Sequence, residues 1–317
     1  MKQIRFSAAV EGFLLSLQAR HLSPHTLTDY TRTLRKLSAY FNSGSKLLGL
    51  DPDPYVDDIT HQQIAGFMAS FDGLANKTLL NYHVGMSSMW SWMVHEEIVK
   101  TNIIRKVVAP RAERKEVMPL TQEEVKMLFS VLERSKVYRR GGRSVDHALV
   151  SYERNRAILL LMLDTGLRAS ELCDLKVDDL DNRNSRVFVR MGKGMKERLL
   201  PFSSRTGQMI WRYLATRENY QPDDPLFLSK LSRPLSRTKL SEMVRSIGDR
   251  AGVPNVHPHR FRHTFAIQYL RNGGDVYTLQ SMLGHSTLET VKIYLKLSQV
   301  DTDTVHRRAS PVDNWRL

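Results

Sequence analysis

RVFVRMGKGMKERLLPF, residues 186–202, is the one β-like patch in a chain otherwise patterned for helices. Two short extended runs flank Gly192-Lys193-Gly194, as the arms of a hairpin flank its turn. Helical patterns follow it at about 206–217, 238–251, 259–271, 276–283 and 286–297, the last opening on a capping-box pair, Ser286 and Glu289. Upstream lie LTQEEVKMLFSVL, with Thr121 and Glu124 as another capping box, and the strongly apolar AILLLMLDTG, 157–166. The expected fold is therefore mainly α with a small β-sheet or hairpin.

The first hundred residues read as a helical bundle. Phe6, Val10, Phe13, Leu14 and Leu17 recur at helical spacing. Ser23-Pro24 opens a second helix with Leu27, Tyr30, Leu34 and Leu37 on one face. Thr60 and Gln63 cap a third. A longer helix runs from about Lys77 to Val94, with Leu80, Val84, Met89 and Trp92 among its apolar positions. RKVVAPRAERKEVMP, 105–119, is charged, bracketed by prolines and without a helical apolar face, so it reads as a linker. The expected division is a helical domain over 1–104, a linker over 105–119, and a second domain with a C-terminal tail over 120–317. KVYRRGGRSVDHALVSY, 136–152, holds Gly141-Gly142 and reads as a surface excursion.

The chain has 317 residues, enough for two cores, with 41% apolar and 25% charged residues. No apolar run approaches the roughly 18 residues of a membrane span, and the N-terminus mixes charge into its apolar pattern. A single cysteine, Cys173, excludes an internal disulfide and a cysteine-based zinc site, which fits a reducing cytoplasm. The formal charge of +14 favours a polyanionic partner, most simply nucleic acid. Residues 1–115 carry a net +4 and the remainder +10, so the second part is the more basic.

Several residues there are suited to phosphate chemistry. In DTGLRASELCDL, Arg168 and Glu171 stand one helical turn apart. Alone they are an ion pair on a solvated helix; as a site, Arg168 is a fork for phosphate oxygens steadied by Glu171. HPHRFRHTF, 257–265, places His259, Arg262 and His263 on one helix face. No glutamate follows the first histidine as in the metalloprotease pattern, and neighbouring arginines repel a cation, so no metal is expected. A permanent cation beside a titratable imidazole suits a phosphate undergoing proton transfer instead. Lys193, flanked by glycines, can approach a nucleic-acid backbone and give a proton to a departing alkoxide. In LGHSTLETVKIYLK, 283–296, His285 sits on a glycine-broken turn and Tyr294 follows nine residues later. A phenol with an ordinary pKa near 10 is a poor nucleophile unless cations and a base favour its phenolate. In order, Arg168, Lys193, His259, Arg262, His285 and Tyr294 supply two forks, an ammonium, two imidazoles and a nucleophile, without a carboxylate cage for magnesium. Metal-free phosphodiester transesterification requires such a set.

The series resembles the tyrosine recombinase family, the phage-type integrases with the Xer-type chromosome resolution enzymes. TGLRASEL, GKGMKER, HPHRFRHTF and LGHSTLETVKIY carry the resemblance, in register: three residues from His259 to Arg262, 23 from Arg262 to His285, nine from His285 to Tyr294. It covers about 120–300 closely, and LSPHTLTDYTRTLRKL in the N-terminal part looks like the family's core-DNA-binding domain. The resemblance implies a C-shaped clamp on DNA made from that helical bundle and a mixed α/β catalytic domain. It implies that Arg168 and Arg262 hold the scissile phosphate and that Tyr294 attacks, leaving a 3′-phosphotyrosyl link and a free 5′-hydroxyl. Lys193 would be general acid, His259 an acid/base near the tyrosine, His285 a donor to a phosphate oxygen, and Glu171 and His263 supporting residues. No cofactor is implied, because the covalent link keeps the phosphodiester energy for strand exchange through a Holliday junction. The implied partners are double-stranded DNA at specific sites and further copies of the chain, a dimer per site and a tetramer on two, with accessory proteins in some systems.

Two features depart from the family's minimal layout: the long 136–152 excursion, and a tail in which Trp315 either docks into a neighbouring protomer or packs on its own domain. The layout also implies no separate arm-site-binding domain ahead of residue 1. A type IB topoisomerase and a non-catalytic DNA-binding protein are the rival readings. The motif around Tyr294 with the two-domain size disfavours the first, and the filled catalytic positions disfavour the second.

Overall fold

The computed structural model describes residues 3–20, 22, 24–48, 51–111, 118–133, 138–140, 143–145, 151–190, 197–284, 291–292, 294–295, 306 and 310–315. The chain forms two compact units, Met1–Lys115 and Glu116–Leu317.

The first unit contains α1 (Phe6–Ala19), α2 (Pro24–Leu48), α3 (His61–Ala69) and α4 (Asn76–His95), closed by a 3₁₀ turn at Ile103–Lys106. Apolar side chains spaced at three and four residues turn one stripe of each helix inward. Phe6, Phe13 and Leu17 of α1 meet Leu34, Leu37 and Phe41 of α2, with Met86, Met89, Trp90 and Met93 from α4. On α4 the inward stripe is Tyr82, Met86, Met89, Trp90 and Met93, whereas Val84 is 48% exposed. Thr60 and Gln63 form the expected reciprocal cap on α3. Residues 105–107, read from sequence as the start of a linker, belong to this unit. The Asn102 side chain caps the 3₁₀ turn, and the Val107 carbonyl bonds the His83 ring at 3.0 Å.

The second unit contains α5 (Gln122–Ser130), the paired strands β1 (Tyr138–Arg140) and β2 (Arg143–Val145), α6 (Tyr152–Thr165) and α7 (Ala169–Asp174). A three-stranded antiparallel sheet follows, β3 (Leu180–Asp181), β4 (Arg186–Val189) and β5 (Arg198–Pro201), in the order β3-β4-β5. Then come α8 (Ser204–Ala215), α9 (Arg237–Ala251), α10 (Pro258–Arg271), α11 (Val276–Leu283) and a short α12 (Pro311–Trp315). The hairpin expected at 186–202 is β4–β5, with Val187 opposite Leu200 and Val189 opposite Arg198. The excursion at 136–152 holds a second antiparallel pair, Arg140 opposite Arg143; Gly141 and Gly142 lie outside the described residues, as do Ser286 and Glu289.

Helix α6 packs against α8 and α10, and none of its residues is exposed. It begins five residues before the apolar run that betrayed it. Arg154 and Asn155 are buried in its first turns because Arg154 donates to the Asn155 side-chain oxygen and, at 2.9 Å, to the Leu228 carbonyl. Buried polar groups are tolerated when so partnered. Arg260 ties α10 to α5 in the same way, donating to the Met118 and Pro254 carbonyls and to both carboxylate oxygens of Glu124, whose backbone capping box with Thr121 starts α5. Among the described residues no helix is long and apolar enough to cross a membrane.

Candidate active site

Helix α6 stops at Gly166, which adopts the left-handed conformation at φ 62°. A Cβ there would fall 2.3 Å from Cδ1 of Phe265, so both the backbone and the close approach of α10 demand glycine. The chain then turns through buried Leu167 into α7, with Arg168 at its N-cap. The Arg168 backbone N–H donates to Glu171 Oε2 at 2.8 Å, and its Nη1 donates to Oε1 at 2.8 Å. The Glu171 side chain is 11% exposed, so this pair is not one on a solvated face.

Helix α10 starts with Pro258 at its first turn and His257 as its cap, whose Nδ1 accepts from the Arg260 N–H at 3.3 Å. That start sets the phase of the helix, and Arg262 lands inside the protein, 1% exposed. Its Nη1 donates to the Gly166 carbonyl and its Nη2 to the Leu283 carbonyl, each at 2.8 Å. The neighbouring carbonyls at the end of α11 are taken likewise: Arg198 Nε donates to Met282 at 2.7 Å, and Arg168 Nη2 donates to Gly284 at 3.1 Å. A helix C-terminus leaves carbonyls without intrahelical partners and carries partial negative charge. Three consecutive residues there, the last in the left-handed conformation at Gly284, each hold one guanidinium. Backbone geometry thus gathers three like charges that would otherwise repel.

Tyr294 lies against this cluster, 3% exposed and hydrogen-bonded to Arg262. Burial raises its pKa, opposed by the charge and hydrogen bond of Arg262 and by the charge of Arg168. At neutral pH the phenol keeps its proton, so attack from it needs a base. Burial lowers the pKa of Arg262 to about 10, aided by repulsion from Arg168, while Glu171 and Tyr294 oppose the shift. His259 is lowered by burial and by Arg262, His257 and Arg168, which leaves a neutral imidazole able to accept a proton. The His259 and His263 rings meet edge to face at 4.4 Å, and the His263 ring lies 5.3 Å from that of Tyr294. Burial, with His259, His257 and Arg262, pushes His263 down to about 4. Its Nδ1 is buried without a hydrogen-bond partner among the described residues.

Arg168, Glu171, His259, Arg262, His263 and Tyr294, from three separate segments, therefore converge. Lys193 and His285 lie outside the described residues. The family model for "Phage integrase family" matches residues 118–300, more than half the chain. Tyrosine recombinase XerC of Escherichia coli O1:K1 is 32% identical over 305 residues, covering 95% of this chain and 96% of that protein.

The chain belongs to the phage integrase family.

Solved structures share the fold. The Tn1549 transposon integrase in complex with transposon right end DNA matches with a TM-score of 0.70 at 18% identity, covering 95% of this chain and 98% of that one. A lambda integrase dimer bound to a COC′ core site matches at 0.69 and 17% identity, over 90% and 97%. The XerH recombinase bound to difH substrate matches at 0.66 and 23% identity, over 96% and 84%.

One residue of this integrase site escaped the sequence reading. Arg198 donates through Nη2 to Glu171 Oε2 at 2.8 Å as well as to α11, and its side chain is 9% exposed. The signal lay in GKGMKER, where it closes the motif, and in the hairpin register: Arg198 opposes buried Val189, two residues from buried Leu200. Strand alternation alone turns it inward.

A mutation follows from the Gly166 geometry. Gly166→Ala is expected to lower stability by about 3 kcal/mol, combining a left-handed alanine with a clash on Phe265. Urea denaturation measures it; a loss below about 0.5 kcal/mol, the range of ordinary surface substitutions, would contradict the account of this turn.

Proposed function

We propose that the protein is a site-specific DNA recombinase in which the Tyr294 hydroxyl attacks the scissile phosphodiester. The Tyr294 oxygen–phosphorus bond forms as the bond from phosphorus to the 5′ oxygen breaks, giving a 3′-phosphotyrosyl enzyme. His259, neutral and beside the arginines, takes the phenol proton. Lys193 gives the departing 5′ oxygen its proton. Arg168 and Arg262 bind the non-bridging oxygens and offset the charge that builds on the pentacoordinate phosphorus, aided by His285. Glu171 holds Arg168, and His263 packs beside the nucleophile. Attack by a 5′-hydroxyl from a partner strand reverses the step, and two such exchanges pass through a Holliday junction. The energy of the broken bond stays in the phosphotyrosine, so no nucleotide cofactor enters.

The observation that carries this reading is the buried Tyr294 phenol hydrogen-bonded to a buried Arg262, with Arg168 close enough to act on both. Arg168, Arg198 and Arg262 crowd round the Glu171 carboxylate, so positive charge is in excess beside Tyr294 and suits an anion, and a phosphodiester is the anion this family handles. Double-stranded DNA is thus the substrate, bound by two copies per site and four per synapse, in the cytoplasm. In the first unit, Leu27, Thr28, Thr31, Arg32, Arg35, Lys36 and Ala39 of α2 line an open depression of about 550 Å³, whose three basic side chains suit phosphates. Trp315, 72% exposed on α12, is the group we assign to contact between protomers.

The test uses duplexes selected from a random pool by binding to the protein, then nicked so that the cleaved fragment diffuses away. With EDTA present, the protein should become covalently attached to the 3′ side of the break and leave a 5′-hydroxyl. Attachment to a 5′ end, or no attachment to any selected duplex, would overturn the reading.

A further inference from the structure

We infer that Arg198 is a positioning residue for strand cleavage: from β5 it fixes the Glu171 carboxylate and the end of α11 together, and so holds Arg168 in place for the phosphate. The inference rests on the proposed recombinase reading and adds to it a residue outside the set that faces the phosphate.

Arg198 enters the site through strand register. Its neighbour Leu199 is 47% exposed, while Arg198 itself faces inward and is 9% exposed at its side chain. The guanidinium spans two elements distant in sequence: Nη2 bonds Glu171 Oε2 at 2.8 Å, and Nε bonds the Met282 carbonyl at 2.7 Å. Each of those elements also holds Arg168. Glu171 accepts the Arg168 backbone N–H and its Nη1, and the Gly284 carbonyl accepts its Nη2. Arg198 is thus the brace between the two supports of Arg168. A planar fork with donors at Nε and Nη2 can make both bonds; an ammonium makes one well and leaves the other. Nε and Nη2 of Arg198 are given to the two supports, and the charges that act on Tyr294 are those of Arg262 and Arg168.

The brace also sets the charge state of Glu171. That carboxylate faces Arg168 at the start of its own helix, Arg198 from β5, Arg262 from α10 and Asp174 further along α7, while α11 presents backbone carbonyls. Burial works to raise its pKa. The hydrogen bond from Arg198 is the largest opposing influence, followed by the Arg168 backbone and the charge of Arg198, and the result is a carboxylate below its ordinary range. Protonation would cost Glu171 its hold on Arg168, so cleavage should fail on the acid side of that pKa. Without Arg198 the pKa rises and the acid limb moves toward neutral pH.

Single-turnover cleavage of a nicked duplex, followed from pH 3.5 to 9, tests this with the full-length protein as wild type, Arg198→Met, Arg198→Lys and Glu171→Gln. Arg198→Met should cleave about 10²-fold more slowly, the scale of a misplaced catalytic group, with DNA affinity nearly unchanged and its acid limb displaced toward neutral. Arg198→Lys should restore the position of the limb and part of the rate. Glu171→Gln should remove the Glu171 limb and leave only the fall that follows protonation of His259. An Arg198→Met rate equal to wild type overturns the inference, as does an equal slowing at every pH that lysine does not relieve. Should the methionine form fail to fold, the lysine form decides alone, and a wild-type rate from it overturns the inference. If wild type itself never attaches to DNA, the recombinase reading fails; if wild type attaches and the Arg198 variants match it, only the positioning role fails.

Discussion

Tyr294→Phe will bind DNA as wild type does and form no covalent complex with it. The substitution removes one oxygen and keeps the ring, and the ring is what the protein packs: Tyr294 sits in an apolar cluster with Phe265, Leu270, Leu279 and Val291. Folding therefore loses little beyond the hydrogen bond with Arg262, about 1 kcal/mol. Chemistry loses everything, because a phenyl ring has no atom to place on phosphorus. The buried arginines and histidine then surround an inert group. A gel resolving protein–DNA adducts after denaturation reads the outcome directly, and a parallel binding titration shows that the loss is not one of affinity. A phenylalanine form that still attached to DNA would mean that another side chain is the nucleophile.

Arg262→Lys should slow cleavage by about 10²–10³-fold, the range seen when a preorganised donor to a developing charge is lost. The exchange keeps the charge but not the geometry. Arg262 uses Nη1 and Nη2 for carbonyls at the ends of two helices, Gly166 and Leu283, while it also bonds Tyr294. A lysine amine is a single point with three donors on a flexible stem and cannot hold both carbonyls and the phenol at once. Burial already lowers the arginine to about 10. An ammonium in the same cavity starts from a lower ordinary value and suffers the same desolvation, so part of the population is uncharged when the phosphate arrives. Rate at saturating protein is the quantity to compare. A lysine form within threefold of wild type would show that Arg262 contributes charge alone and that its fixed fork is irrelevant.

Helix positions were legible because their punctuation is local. Thr60 with Gln63 and Thr121 with Glu124 mark starts that the structure places at those residues. The structure adds His257 and Pro258 as another start, and from it follows the inward phase of Arg262. The hairpin at 186–202 was legible from its glycines and extended arms, and its pairing as β4–β5 follows. Local signals were weaker where tertiary partners decide. The first turn of α6 is written in polar letters because Arg154 and Asn155 satisfy each other and a distant carbonyl. On α4, methionine and tryptophan occupy several sides of the helix, so periodicity did not distinguish exposed Val84 from buried Met86. The pair β1–β2 left only Gly141-Gly142 as its mark, read as a loop. In the site, residue types and their order singled out Arg168, Glu171, His259, Arg262, His263 and Tyr294, which the structure brings together, while Lys193 and His285 lie outside the described residues. The way they are held was not legible, since backbone carbonyls of α11 carry no sequence signature. Arg198 was missed for that reason.

If the folded arginines serve one phenol oxygen, that of Tyr294, the bond to DNA forms there and nowhere else. Digestion of the trapped protein–DNA complex with trypsin and nuclease, followed by mass spectrometry of the modified peptide, reads the attachment point. A nucleotide joined through phosphate to Tyr294 and to no other residue is expected; a nucleotide on a serine, a histidine or a different tyrosine would rule Tyr294 out as the nucleophile.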